Sequence, residues 1–174
     1  MAVFNDDYSR RRVTEILRRA QADVVITASP IDYHCDHEAT SVLVRDSCFA
    51  ASAPNYVTRA AEPAPALDRI PHLYFMDSVG GVDREGRPQM PDFFVDVHST
   101  VDRKREMLAC HASQRNWLRR QHGIDEYLDM MLRWTREVGA RCGVEYAEGF
   151  RLYPGHPYPQ SPLLQDVLGD FVVR

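Results

Sequence analysis

The chain of 174 residues is 44% hydrophobic and 26% charged, with a formal net charge of -4. That length and balance fit one globular domain, and no apolar run approaches the ~18 residues that a membrane span needs. The slightly acidic charge gives no general attraction to nucleic acid or to an anionic membrane, so neither is expected as a partner.

Asp7 or Ser9 can cap a first helix running to about Gln21, with Val13, Ile16, Leu17 and Ala20 at the spacing of one apolar face. Arg10-Arg11-Arg12 and Arg18-Arg19 share that helix with acidic residues and read as a solvated face. Residues 24–28 form a strand ending in Ala28-Ser29-Pro30, followed by a polar loop and a helix carrying Ala39, Val42, Leu43 and Phe49. Residues 60–69, with Pro63 and Pro65, read as an extended connection. A strand follows from His72, taken as a surface residue, to Met76. The glycine-rich stretch 77–88 is long enough to be either a functional lid or an idle insertion.

Phe93 to Val97 makes the next strand, and Ser99 or Thr100 caps a helix with Val101, Lys104, Arg105, Leu108 and His111. Ile124 to Ala140 reads as a longer helix that turns Tyr127, Leu128, Met131, Trp134 and Val138 to the core. Gly139 and Gly143 bracket its end, Val144 to Phe150 is a last strand, and a proline-rich tail leads to a short helix at 163–168. Alternating helices and strands predict an α/β layered fold with a mainly parallel sheet, in a single domain over 1–174. Cys35, Cys48, Cys110 and Cys142 show no CxxC spacing and are expected as reduced thiols. The N-terminus has no basic region followed by an apolar core, so the expected location is the cytoplasm.

In an open α/β sheet the loop leaving the carboxyl end of a strand is where ligands bind, and here it holds His34, Cys35, Asp36 and His37. Two histidines three apart can face one crevice, with a carboxylate beside them. Two readings stand at this point: half of a metal site, or polar residues at a helix start with Asp32 or Asp36 as the N-cap.

Asp32-Tyr33-His34-Cys35-Asp36-His37 resembles the second signature of the PIG-L/LmbE-like zinc-dependent N-deacetylases, a His-Pro-Asp-His after a strand, with Cys35 in the proline position. Pro71-His72-Leu73-Tyr74-Phe75, Phe94-Val95-Asp96-Val97, His111-Ala112-Ser113-Gln114 and Tyr146-Ala147-Glu148-Gly149-Phe150-Arg151 match the family in the same order. The resemblance implies a Rossmann-like fold and a zinc ion. It also implies hydrolysis of the acetyl amide of a small-molecule amino-sugar conjugate.

It further implies that His37 is a zinc ligand. His34 would be a charged histidine that stabilises the oxyanion or protonates the amine, oriented by Asp36. Tyr146 and Glu148 would line the substrate pocket. The family's first motif, His-Pro-Asp-Asp, with two zinc ligands and the base, has no match, so the chain is expected to be the C-terminal portion of such a domain, truncated at its N-terminal sheet edge. A second copy or a partner chain would then cover that edge. Asp32, His34 and His98 are the nearest substitutes for the remaining ligands. The rival reading is a catalytically silent remnant or binding subunit that keeps the fold without metal.

Overall fold

The computed structural model describes residues 2–122 and 126–173. They fall into two compact units, the first comprising residues up to Asp92 together with Phe150–Val167, the second Phe93–Gly149 with the residues from Leu168.

The first unit opens with α1 (Asp7–Ala20). Asp6, and neither Asp7 nor Ser9, is the cap: it accepts the Ser9 N–H at 2.7 Å, satisfying a donor that has no intrahelical partner. Next come β1 (Val24–Thr27), α2 (Cys35–Ala51) and β2 (His72–Met76), with residues 52–71 irregular apart from turns. The predicted stripe holds in part: Leu17 is in the core and Val13 packs on it, but Ile16 is 62% exposed and Ala20 is exposed, and Thr14, Glu15 and Arg18 are buried instead.

Arg18 corrects the reading of a solvated basic face. It donates to the carbonyls of Ala50, Ala51 and Ala53 at 3.2, 3.0 and 2.7 Å. Carbonyls at a helix end lack intrahelical partners and carry the negative end of the dipole, so a guanidinium is stable there. Glu15 accepts from Thr58 Oγ1 at 2.6 Å, the Ala64 N–H at 3.0 Å and Arg19 Nε at 2.8 Å, tying the irregular connection to α1. The Thr58 hydrogen bond, first among these, holds its carboxyl below the usual range.

β1 and β2 pair in parallel, Val24 opposite His72 and Thr27 opposite Phe75. On the other side of β2 lies β4 (Ala147–Leu152), whose residues 150–152 run antiparallel, Phe75 opposite Arg151. His72 is therefore on a central strand and only 6% exposed, not at the surface; its Nε2 meets Ser161 Oγ at 2.7 Å. Leu17, Cys48, Ala51, Leu67, Leu73, Phe75 and Tyr158 form one apolar cluster. Burial pushes the Cys48 thiol up to about 12 and raises the Tyr158 phenol as well.

In the second unit β3 (Phe93–Asp96) pairs antiparallel with β5 (Val172–Val173), a strand too short to show as a pattern in the sequence. The α/β class stands, but a mainly parallel sheet does not: β1–β2 is parallel, whereas β2–β4 and β3–β5 are antiparallel. The long helical connections allow a crossover without forcing one, so alternation of elements does not fix strand direction. The single helix expected after Thr100 is two, α3 (Val101–Ala109) and α4 (Ala112–His122), broken at Cys110-His111. The helix expected from Ile124 is α5 (Glu126–Cys142); Ile124 itself lies outside the described residues.

Gly139 sits inside α5, where a Cβ would meet the carbonyl oxygens of Val144 and Glu145 at 2.7 Å. It admits the returning backbone rather than ending the helix, and Gly143 at φ +80° makes the turn. Gly139→Ala, which would stabilise an ordinary exposed helix by about 1 kcal/mol, should instead lower the urea midpoint.

A thiol raised in the folded state keeps its proton while the unfolded chain loses it from about pH 8.5, so folding stability should fall as pH rises from there towards 12. Urea titrations across that range should show a shallower alkaline slope for Cys48→Ala.

Candidate functional site

The site is built on the loop between β1 and α2. The carboxylate of Asp32, 4% exposed, accepts the His34 N–H and meets His37 Nδ1, both at 2.9 Å. An ionised carboxylate can only accept, so Nδ1 donates, and in the neutral ring the Nε2 lone pair is then open to a ligand. His37 is 42% exposed, and its ring centroid lies 4.8 Å from that of His34. Tyr33 stands edge-on to both rings at 5.9 and 5.6 Å.

The N-cap of α2 is His34, neither Asp32 nor Asp36: its Nδ1 accepts the Asp36 N–H at 3.2 Å. A nitrogen that accepts holds no proton, so a doubly protonated His34 is incompatible with this cap; the ring can offer Nε2–H as a neutral donor. The Asp36 carboxylate accepts the backbone N–H groups of Ala2 and Val3 at 3.3 and 3.5 Å, a different task from the one expected of it. The carboxylate held on the His37 ring is Asp32, which the sequence offered only as a cap or a substitute ligand.

Further contacts lock the loop. The Asp32 N–H donates to Glu38 Oε1 at 2.9 Å, and Arg84 Nη1 donates to both Glu38 oxygens at 2.8 and 2.7 Å. Gln89 Nε2 donates to the Ile31 carbonyl at 2.8 Å. Arg151 Nη2 donates to Ser29 Oγ at 2.9 Å and Gln89 Oε1 at 2.8 Å, with its Nε 3.9 Å from Asp77. Residues 77–88, left open between lid and idle insertion, thus brace the histidine loop. Glu38, Arg84 and Gln89 had no sequence signal; Arg151 stood in a matched motif without a role.

The same unit has a crevice of about 350 Å³ lined by Pro30, Val42, Arg45, Phe75, Asp92 and Arg151 among others; neither histidine lines it. In the second unit the Tyr146 ring stacks on His98 and lies under the Arg136 guanidinium, which also donates to the Tyr146 hydroxyl. His98 Nδ1 meets Glu145 Oε2 at 3.0 Å. Glu148 pairs with Lys104 at 2.7 Å, and Lys104 also reaches Thr135 Oγ1 at 3.1 Å.

A catalytic zinc takes three protein ligands and leaves one position open. His37 suits one of them, because a metal-binding imidazole characteristically gives its other N–H to a carboxylate, as His37 gives to Asp32. Among the described residues, however, no three His, Cys, Asp or Glu side chains are grouped to hold a metal ion. The residues fit one ligand position and not a complete centre.

No family model matches the chain. Its fold is similar to that of GalB, the 4-carboxy-2-hydroxymuconate hydratase from Pseudomonas putida KT2440, at 21% identity over 90% of this chain and 62% of that one, TM-score 0.64. It is similar to the conserved protein TT1542 from Thermus thermophilus at 23% identity over 92% and 64%, TM-score 0.65. A third likeness is to N,N'-diacetylchitobiose deacetylase from Pyrococcus horikoshii, solved with its inhibitor, at 23% identity over 91% and 57%, TM-score 0.63. The chain therefore has a deacetylase-like fold, and it spans less than two thirds of each of these proteins. One of them is a hydratase and another a deacetylase, so the fold by itself does not select a reaction.

Asp32→Ala should destabilise the first unit by about 1–3 kcal/mol, since it removes the acceptor of two hydrogen bonds from a buried position. A double-mutant cycle with His37→Ala, read by urea unfolding, should give a coupling of about 0.5–3 kcal/mol.

Proposed function

We propose that this chain carries part of a zinc-dependent amide-hydrolysing site of the PIG-L/LmbE type, acting on the acetyl group of an N-acetylated amino-sugar conjugate. The observation that carries the reading is the Asp32–His37 pair, an imidazole whose Nδ1 is held at 2.9 Å by a buried carboxylate while the ring stays 42% exposed. Fold likeness to the chitobiose deacetylase and the ordered signature matches support the same class.

Zinc, when bound, supplies a water of lowered pKa and polarises the carbonyl. His37 would hold it through Nε2, and the remaining donors and the base would come from outside the described residues. His34 acts as a neutral Nε2–H donor to a reacting oxygen. Asp36 anchors the N-terminal backbone against the start of α2. Tyr146 and Glu148, the expected pocket-lining residues, belong to the second unit, where they pair with Arg136 and Lys104. The outer edge of β1 has no strand beside it among the described residues, and Ile26 there is 42% exposed; a second copy or a partner chain covers it. None of the four cysteines is in a disulfide, which suits the cytoplasm, and no described helix is long and apolar enough to cross a membrane.

The second reading, a catalytically silent domain of the same fold, is favoured by the lack of a three-donor group among the described residues. Zinc titration of the purified protein separates the two. The leading reading expects saturable binding that weakens by about tenfold or more in His37→Ala, as when a ligand shell is disturbed. Zinc binding that is absent, or indifferent to that substitution, supports the silent domain.

A further inference from the structure

We infer that Arg151 is a positioning residue for His37, acting through Gln89 and Ser29 on the turn that carries Asp32. It rests on the proposed function only in giving His37 a task.

A guanidinium has only donors and the Ile31 carbonyl only accepts, so the amide of Gln89 between them has one satisfactory orientation. Its Oε1 faces Arg151 Nη2 at 2.8 Å and its Nε2 faces Ile31 O at 2.8 Å. Turned over, it would set an NH2 against a cation and an oxygen against a carbonyl. Arg151 therefore fixes which way Gln89 points, and Gln89 fixes the carbonyl that immediately precedes Asp32.

Ser29 is held from the same nitrogen. Its Oγ accepts from Arg151 at 2.9 Å, so its single proton is left to share between Ile31 O at 3.1 Å and Gln89 Oε1 at 3.1 Å. Ser29 is 1% exposed and Gln89 is 7% exposed, so water cannot readily replace either bond. Both ends of the turn 29–32 are thus fastened to one guanidinium. Asp32 leaves that turn with its carboxylate on the His37 ring. Arg151 reaches the loop from β4, where it lies opposite Phe75, and Asp77 faces it at 3.9 Å as counter-charge. Without this clamp Asp32 would sample positions in which His37 Nδ1 has no acceptor, and the proton could move to Nε2, closing the nitrogen that would face a ligand.

The test is the tautomer of His37 in metal-free protein, read from long-range 1H–15N correlations at a pH where the ring is neutral. Wild type should show the Nδ1–H form. Arg151→Met should lower the ratio of Nδ1–H to Nε2–H by about tenfold or more, the loss of about one hydrogen bond's worth of bias. Arg151→Lys, which keeps the charge but not the fork, should fall between them. Cys48→Ala, a core change away from the loop, should leave the ratio at the wild-type value even where its urea midpoint falls as far. Should Arg151→Met fail to fold, Gln89→Leu removes the link while keeping Arg151 and should lower the ratio equally. A wild-type ratio in the Arg151 or Gln89 variant, or an equal fall in Cys48→Ala, overturns the inference. Zinc plays no part in the readout, so a failed zinc titration would leave it untouched.

Discussion

The parallel pairing of β1 with β2 is the constraint on which the candidate site depends. Two parallel neighbours end at the same edge, so the loops after Thr27 and Met76 leave side by side. That proximity lets Ser29, Ile31 and Asp32 from one loop meet Gln89 and Arg84 beyond the other, directly or through Glu38. An antiparallel pair would send the loops to opposite ends and leave each loop to satisfy its own buried polar groups. The histidines are held because two strand ends coincide, and only then because of their spacing.

The interior of the first unit is unusually polar for a small core. Arg18, Glu15, Asp32, Ser29 and Gln89 are all at or below 8% exposure. Each has a stated partner, so the cost of removing these groups from water is largely offset by hydrogen bonds to backbone or to opposite charge. The apolar cluster around Leu73 and Cys48 supplies non-directional stability, while the polar links determine where irregular segments lie. Glu15 does this for the connection after α2, and Arg151 for the turn before it. A chain with so much irregular backbone needs such directional fastenings.

What was legible in the sequence was local. Periodicity gave α1, α2 and α5, β-rich runs gave β1, β2 and β3, and the prolines of residues 60–69 gave the extended connection. The signature put His34 and His37 just beyond a strand end, where His34 caps α2 and His37 lies in its first turn. What was not legible depended on partners far along the chain. Arg18 looks like any surface arginine until the end of α2 is placed over it, and Asp32 looks like a cap until His37 turns back upon it. Strand direction and the two-residue β5 left no periodic trace. Gly139 could not be told from a helix-ending glycine, because its reason is the backbone of residues 144–145 passing alongside.

The proposed chemistry centres on one imidazole, that of His37 held on Asp32, as a ligand for a divalent ion. X-ray absorption at the zinc edge of zinc-loaded protein tests this most directly. The account predicts the scattering of a single imidazole among oxygen donors, lost in His37→Ala. A shell containing two imidazoles, a thiolate sulfur from Cys35, or no imidazole would contradict it.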